Sequence, residues 1–328
     1  MIVEVKNLTK RYGSHTAVSD LSFGIEKGKI YGFLGPNGAG KSTTMNIMTG
    51  CLAATKGDVI IGGYDIFEQP LEAKKLIGYL PEMPPLYMDR TPLEYLKFVA
   101  EAKGIKKEDI NKEIDKVMEE TMIKDVSDRI IKNLSKGYRQ RVGIAQAILG
   151  DPEVIILDEP TVGLDPRQII EIRDLIKKLG KNHTVILSSH ILSEVQAVCD
   201  TILIISKGKM VACDTPDNLE KLFAGGITVK ITAEASEKDV KNICKEIKNI
   251  KLTVKEDGKY SEAVIESKDK DENKLCRDIF FAFAKNNKAI IEMIRSAASL
   301  EDIFLELTES ETEEEKNADK ESEEGDDE

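Results

Sequence analysis

A layered α/β domain with a largely parallel core sheet, carrying a helical insertion and followed by a small α+β unit, is the architecture this sequence predicts. Three observations lead to it. Up to about residue 223, short apolar strand candidates alternate with helical patterns. Between residues 83 and 150 the strand signals stop and helical periodicity takes over. Beyond the Gly225-Gly226 pair, a plausible boundary, the order becomes strand, helix, strand, strand, helix, strand.

The strand candidates of the first domain lie at residues 2–5, 30–34, 59–61, 154–157, 185–187 and 202–205. They are short, apolar and rich in Ile, Val and Leu, and several lead into turns followed by helical patterns. In the insertion, Thr91 can cap a helix, Pro92 fits its first turn and Glu94 completes a capping box. Ile110, Ile114, Val117 and Thr121 then recur at helical spacing, and a third helix runs from near residue 135 to 149.

The second domain, residues 226–308, has strands at 227–232, 252–255, 262–266 and 289–294 and helices at 238–247 and 273–285. That order is the ferredoxin-like one. A final amphipathic helix is expected after it, with Leu300, Ile303, Phe304 and Leu307 on one face.

Charge divides the chain unevenly. Of a formal net charge of −12, residues 309–328 hold −10, from twelve acids and two lysines. This segment lacks large apolar side chains and reads as a disordered acidic tail. The remainder is close to neutral, which argues against a nucleic-acid partner. The five cysteines, Cys51, Cys199, Cys213, Cys244 and Cys276, form no short-spaced pair, so reduced thiols are expected and a zinc site is not. No apolar run approaches bilayer length, and the N-terminus shows no export signal. The expected location is the cytosol or the cytosolic face of a membrane.

Residues 35–42, Gly35-Pro36-Asn37-Gly38-Ala39-Gly40-Lys41-Ser42, match the phosphate-loop pattern G-x-x-x-x-G-K-[ST]. An apolar strand precedes the loop, and a helix-like segment beginning at Thr43 follows. Glycines let backbone amides approach phosphate oxygens, and the helix N-terminus favours an anion. Lys41 is expected on the β- and γ-phosphates and Ser42 on Mg²⁺. The strand at 154–157 ends in Asp158 and Glu159. Asp158 suits Mg²⁺ coordination, and Glu159 suits the general base that activates the attacking water.

Together with the segment Leu134-Ser135-Lys136-Gly137-Tyr138-Arg139-Gln140-Arg141, the order and spacing of these motifs resemble the ATP-binding-cassette (ABC) ATPases over residues 1–223. The resemblance implies a P-loop NTPase fold with an inserted helical subdomain, ATP and Mg²⁺ as cofactors, and ATP hydrolysis coupled to transport. The middle segment corresponds to the family's signature motif, in which Ser135 and the Gly137 amide would face the γ-phosphate held by a second subunit. Lys136 stands where the common form has glycine, and Tyr138 where it has glutamine. Similar variants occur in a bacterial multidrug and antibiotic exporter branch. By the same resemblance, Tyr12 corresponds to the aromatic that stacks on adenine and His190 to the histidine on the γ-phosphate. Asp165, in Gly163-Leu164-Asp165, lies in the loop through which subunits communicate. Glu82 takes the place of a glutamine that senses Mg²⁺ and the water. His15 and His183 are expected on the surface.

The implied machine is a head-to-tail homodimer glued by ATP, resting at the cytoplasmic face of the membrane on a separately encoded transmembrane permease. Two other readings compete with it. A soluble ABC ATPase acting on ribosomes or nucleic acid is disfavoured by the single cassette and the near-neutral body. A regulatory ATP-binding module is disfavoured by intact Lys41, Asp158, Glu159 and His190.

Overall fold

The computed structural model describes residues 1–223, 227–267 and 272–297, and all that follows concerns these residues. The expected helix at residues 300–307 and the acidic tail lie outside them, as does the Gly225-Gly226 pair. By its internal contacts the chain divides into two units, residues 1–216 and 217–328.

In the first unit the strands separate into two sheets. Strands β1 (Val3–Tyr12), β2 (His15–Ile25), β4 (Lys56–Ile61) and β5 (Tyr64–Asp65) form an antiparallel sheet in the order β2-β1-β4-β5. A six-stranded sheet contains β3 (Ile30–Leu34), β6 (Ile77–Leu80), β7 (Val154–Leu157), β8 (Thr184–Ser189), β9 (Thr201–Ser206) and β10 (Lys209–Asp214). Its order is β10-β9-β3-β8-β7-β6, and every neighbouring pair is parallel except β10 with β9. The expected core sheet is therefore present, but residues 2–5 and 59–61 do not belong to it. They pair in the separate antiparallel sheet, which a short apolar run alone cannot reveal. The strand at 77–80 and the long partner at 15–25 were not anticipated.

The central strands β3, β7 and β8 are buried along their whole length. Strands covered on both faces read as unbroken apolar runs, as these do. Side chains of both sheets meet in one core containing Leu8, Leu21, Phe33, Met45, Ile61 and Ile156.

The helical insertion holds α3 (Pro92–Ala102), α4 (Lys107–Glu120) and α5 (Lys136–Ile148). Thr91 accepts a hydrogen bond from the Glu94 amide at 3.2 Å, and Glu94 accepts one from the Thr91 amide at 3.0 Å. The capping box read from the sequence is thus formed. At the other end of the bundle, Lys103 Nζ donates to the carbonyls of Gln146, Ala147 and Leu149, satisfying the end of α5. Arg141 ties α5 outward, donating to the Thr121 carbonyl at 3.1 Å and to Glu171 at 2.6 Å. Glu171 lies on α6 (Pro166–Leu179), so the insertion is anchored to the α/β core by a buried guanidinium.

The second unit contains β11 (Ile227–Ala233), α9 (Glu237–Cys244), β12 (Ile250–Asp257), β13 (Tyr260–Ser267), α10 (Glu272–Lys285) and β14 (Ile290–Ala297). Its sheet is antiparallel, in the order β12-β13-β11-β14. Val229, Ile231, Val240, Ile265, Ile279 and Phe283 form its own core.

Candidate active site

The loop between β3 and α1 (Lys41–Met48) is shaped by Gly40. Its φ of 101° lies in the left-handed region, and a Cβ there would fall 2.6 Å from the Ala17 carbonyl oxygen. Only glycine meets both demands. Gly40→Ala is accordingly expected to lower the melting temperature by several degrees and to weaken ATP binding at least about tenfold, since a 1–3 kcal/mol backbone strain would fall on the loop that holds the ligand. Calorimetry of the apo and ATP-bound forms checks both.

Lys41 is the next residue and is 6% exposed. Its Nζ donates to the carbonyls of Gly35 at 2.8 Å and Pro36 at 3.3 Å, and it lies 3.4 Å from Glu159 Oε1. The loop thus folds over its own ammonium group and aims it at the space above α1. Ser42 Oγ donates to Asp158 Oδ1 at 3.1 Å.

Asp158 and Glu159 emerge from the buried end of β7, and both are buried. The parallel register that sets Leu157 opposite Leu187 brings Ser188 beside them. Ser188 Oγ donates to Asp158 Oδ1 at 2.6 Å and accepts from the Glu159 amide at 2.8 Å. Burial pushes the Asp158 carboxyl above its ordinary value, against the hydrogen bonds from Ser188 and Ser42 that pull it down. Glu159 has a φ of 47°, a left-handed conformation rare outside glycine, Asn and Asp. That strain turns its carboxylate out of the strand line. Its Oε2 lies 3.0 Å from His190 Nδ1. An ionised carboxylate can only accept, so the ring nitrogen carries the proton in this contact.

Several of these groups line a cleft of about 500 Å³, Asp158 and Ser188 not among them. Among its lining residues are Tyr12, Asn37, Lys41, Glu82, Glu159 and His190, together with Gly38, Ala39, Gly40, Ser42 and Thr43 of the loop. Tyr12 is half exposed, at the end of β1, with Lys10 Nζ 5.1 Å from its ring centroid. The β1–β2 hairpin places His15 opposite Tyr12, and His15 lines the cleft as an exposed residue. Ala17 and Val162 also line it. Neither carries a side-chain signal that sequence reasoning could have used. His183, expected on the surface, is instead buried, with Nδ1 2.7 Å from the Pro152 carbonyl oxygen. Its packing position at the start of β8 explains the difference.

Ser135, Gly137 and Asp165 do not line this cleft. Ser135 caps α5, accepting from the Tyr138 amide at 3.3 Å, and Asp165 caps α6, accepting from Gln168 N at 2.9 Å. The departing residues of this segment are both engaged. Tyr138 Oη donates to Asp125 at 2.7 Å. Lys136 lies against the Gly163 backbone, where a Cβ would meet its Nζ at 2.2 Å.

A buried lysine on a phosphate-type loop, a serine and an aspartate sharing a hydrogen bond, and a glutamate paired with a histidine form a site for a polyphosphate. The family model described as ABC transporter matches residues 18–162. An uncharacterized ABC transporter ATP-binding protein of Bacillus subtilis, YhcH, is 46% identical over 64% of this chain and 68% of its own length. The chain belongs to the ABC transporter ATP-binding proteins. Another member, the bacitracin transport ATP-binding protein BcrA of Bacillus licheniformis, is 41% identical over 67% of this chain and 72% of its own. Among solved structures, a dimeric post-hydrolysis state of the ATP-binding cassette MJ0796 bound to ADP and phosphate superposes with a TM-score of 0.59. It is 25% identical and covers 65% of this chain and 98% of that one.

As an ABC ATPase the chain binds ATP and hydrolyses it. Its loop at residues 37–43 and the Lys41 ammonium group line one side of the cleft. The Glu159 and His190 pair lies beside them in the same cleft. The low exposure of Lys41, Asp158 and Glu159 strengthens each of these electrostatic contacts.

Proposed function

We propose that this chain is the ATP-hydrolysing subunit of an exporter whose membrane-spanning part is a separate polypeptide, and that ATP drives it by closing a head-to-tail homodimer. The observation that carries this reading is the division of the motifs. Lys41, Ser42, Glu159 and His190 surround one cleft, whereas Ser135 and Gly137 lie outside it on the capped start of α5. A helix start presents amides to an anion, and a second copy would bring its own Ser135 and Gly137 to the γ-phosphate. Two equivalent sites would form.

In this reading Tyr12 stacks on adenine, Lys41 holds the β- and γ-phosphates, and residues 35–43 wrap them. Mg²⁺ would be held by Ser42 and Asp158, with Glu82 beside the same cleft. These are oxygen donors, which suit a hard cation, and Ser42 Oγ already lies 3.1 Å from Asp158 Oδ1. The ion, when bound, neutralises phosphate charge. Glu159 accepts the proton of the attacking water, and His190 holds Glu159 and the γ-phosphate in line. Asp165 lies in the loop that meets the other copy. The strand order of the second unit fits a ferredoxin-like accessory domain, for which we favour a structural or dimer-supporting role.

Among the described residues no helix is long and apolar enough to cross a membrane, and this reading assigns the membrane part to a partner. The surface just after Glu82 suits one. Met83, Tyr87, Met88, Leu93 and Phe98 are exposed, and the Tyr87 ring lies 5.3 Å from that of Phe98. Apolar side chains grouped in this way mark an interaction site. Through this contact the subunit would rest on the cytoplasmic face of the membrane. Relatives named for bacitracin transport and linearmycin resistance support the export direction.

The test is a mild-detergent pull-down of the tagged chain from native membranes. A stoichiometric multi-span protein is the expected companion, and recovery with ribosomes or alone would overturn the transporter reading. In the same assay, Tyr87→Glu combined with Phe98→Glu should cut recovery of the membrane protein at least about tenfold, because two charges would have to be desolvated at the contact. Undiminished recovery would move the docking surface elsewhere.

A further inference from the structure

We propose that Glu194 is a positioning residue for the hydrolytic pair, an inference that rests on the roles given above to Glu159 and His190. Glu194 lies on α7 (Leu192–Gln196), the short helix that follows His190. Its side chain is buried, at 4% exposure. Acidic side chains are seldom this buried unless they are paired.

The partners of Glu194 come from both halves of the hydrolytic pair. Its Oε2 accepts from Thr161 Oγ1 at 2.5 Å and from Ser189 Oγ at 3.1 Å. Thr161 is two residues beyond Glu159, in the turn closed by the Val162 amide on the Glu159 carbonyl. Ser189 precedes His190, and its Oγ also accepts from the Ile191 amide at 3.0 Å, which brackets the histidine. One carboxylate oxygen therefore pins the turn after the base and the turn bearing the histidine to a single point. The other oxygen, Oε1, is 4.0 Å from Arg173 on α6, whose Nε has no hydrogen-bond partner among the described residues. The arginine supplies a compensating charge and ties the arrangement to the helix that begins at Asp165.

Such a clamp has a physical task here. Glu159 is held in a left-handed backbone conformation, a strained state that persists only where its surroundings impose it. The Ser188 hydroxyl restrains the front of the Glu159 turn, and Glu194 restrains its back through Thr161. Releasing the back would let the Glu159 carboxylate drift from its 3.0 Å contact with His190. Misplacement by about 1 Å costs on the order of a hundredfold in rate.

The test uses the full-length chain and measures kcat and KM for ATP. Glu194→Ala is expected to lower kcat about 10- to 100-fold with KM changed less than about threefold, because the nucleotide-binding loop is not part of the clamp. Glu194→Gln keeps an acceptor oxygen for the same hydroxyls and should recover kcat to within about fivefold. In a Glu159→Gln background, followed by single turnover, adding Glu194→Ala should cost less than about twofold more, since a group acting through Glu159 has nothing left to position. Full kcat in Glu194→Ala, or an undiminished loss in the Glu159→Gln background, would overturn the proposal. Normal turnover by Glu159→Gln alone would instead overturn the base assignment on which it rests. Should Glu194→Ala fail to fold, Thr161→Val and Ser189→Ala each remove one tie; both must lower kcat with KM retained, and wild-type rates in both would refute the clamp.

Discussion

Glu159→Gln should bind ATP at least as tightly as the native chain and turn it over about 100- to 10,000-fold more slowly, the range that a positioned general base supplies. The substitution keeps the shape of a buried side chain and removes only its ability to take a proton. It also removes a negative charge 3.4 Å from Lys41 Nζ, so that the ammonium group is freed for the γ-phosphate. Tight binding without hydrolysis should then trap the closed state. Gel filtration in ATP should show a stable dimer for this variant, and in ADP a monomer. The two readouts are independent: phosphate release reports the base, and elution volume reports the ATP-dependent closure. Near-normal turnover would remove Glu159 from the base role. A monomer in ATP, with hydrolysis blocked, would count against the homodimer.

Loss of nucleotide affinity is the expected result for Lys41→Ala. The Gly35 and Pro36 carbonyls hold the ammonium group at the loop, 3.4 Å from Glu159 Oε1. A hydrogen bond to a charged partner contributes about 1.5–3 kcal/mol, and Lys41 is assigned two phosphate contacts. A fall of roughly 100-fold or more in ATP affinity follows from these values. AMP, which lacks both phosphates, should be nearly unaffected, and the ratio between the two ligands isolates the phosphate contacts from general damage. Titration calorimetry with ATP, ADP and AMP reads the series. Equal affinities for native and Lys41→Ala chains would undo the phosphate-loop assignment. The variant should also be less stable without ligand, because removing the cation leaves the Glu159 carboxylate buried beside one fewer partner.

Features read correctly in advance were local ones. The phosphate loop, the Thr91 capping box and the apolar strands at 30–34 and 154–157 each occupy a few contiguous residues. Their backbone requirements are written in residue type: glycine where φ is positive, threonine and glutamate where helix ends need partners, and branched apolar side chains where a strand is covered on both sides. The alternation of elements in the second unit was legible for the same reason, and the described strands and helices follow it within a few residues.

What the tertiary structure alone decided are relations between distant residues. That β1 and β4 leave the parallel sheet for an antiparallel one depends on their pairing with each other and on β2, the other partner of β1, which alternates too irregularly to announce itself. That His183 is buried depends on the Pro152 carbonyl that meets it. The site shows the same division. Asp158 and Glu159 could be picked out by position at a strand end, but Ser188 could not, because its bonds to both arise from the register of β7 against β8. Glu194 was equally silent, being an ordinary acid on a short helix until the fold brings Thr161 and Ser189 to its carboxylate. By itself, then, the sequence determined the family, the residues to propose for the chemistry and what their immediate backbone does. Only the tertiary structure decided which hydroxyls and carboxylates hold them in place, since residue type and periodicity report local conformation and burial, whereas a hydrogen bond across thirty residues is set by how strands register when they pack.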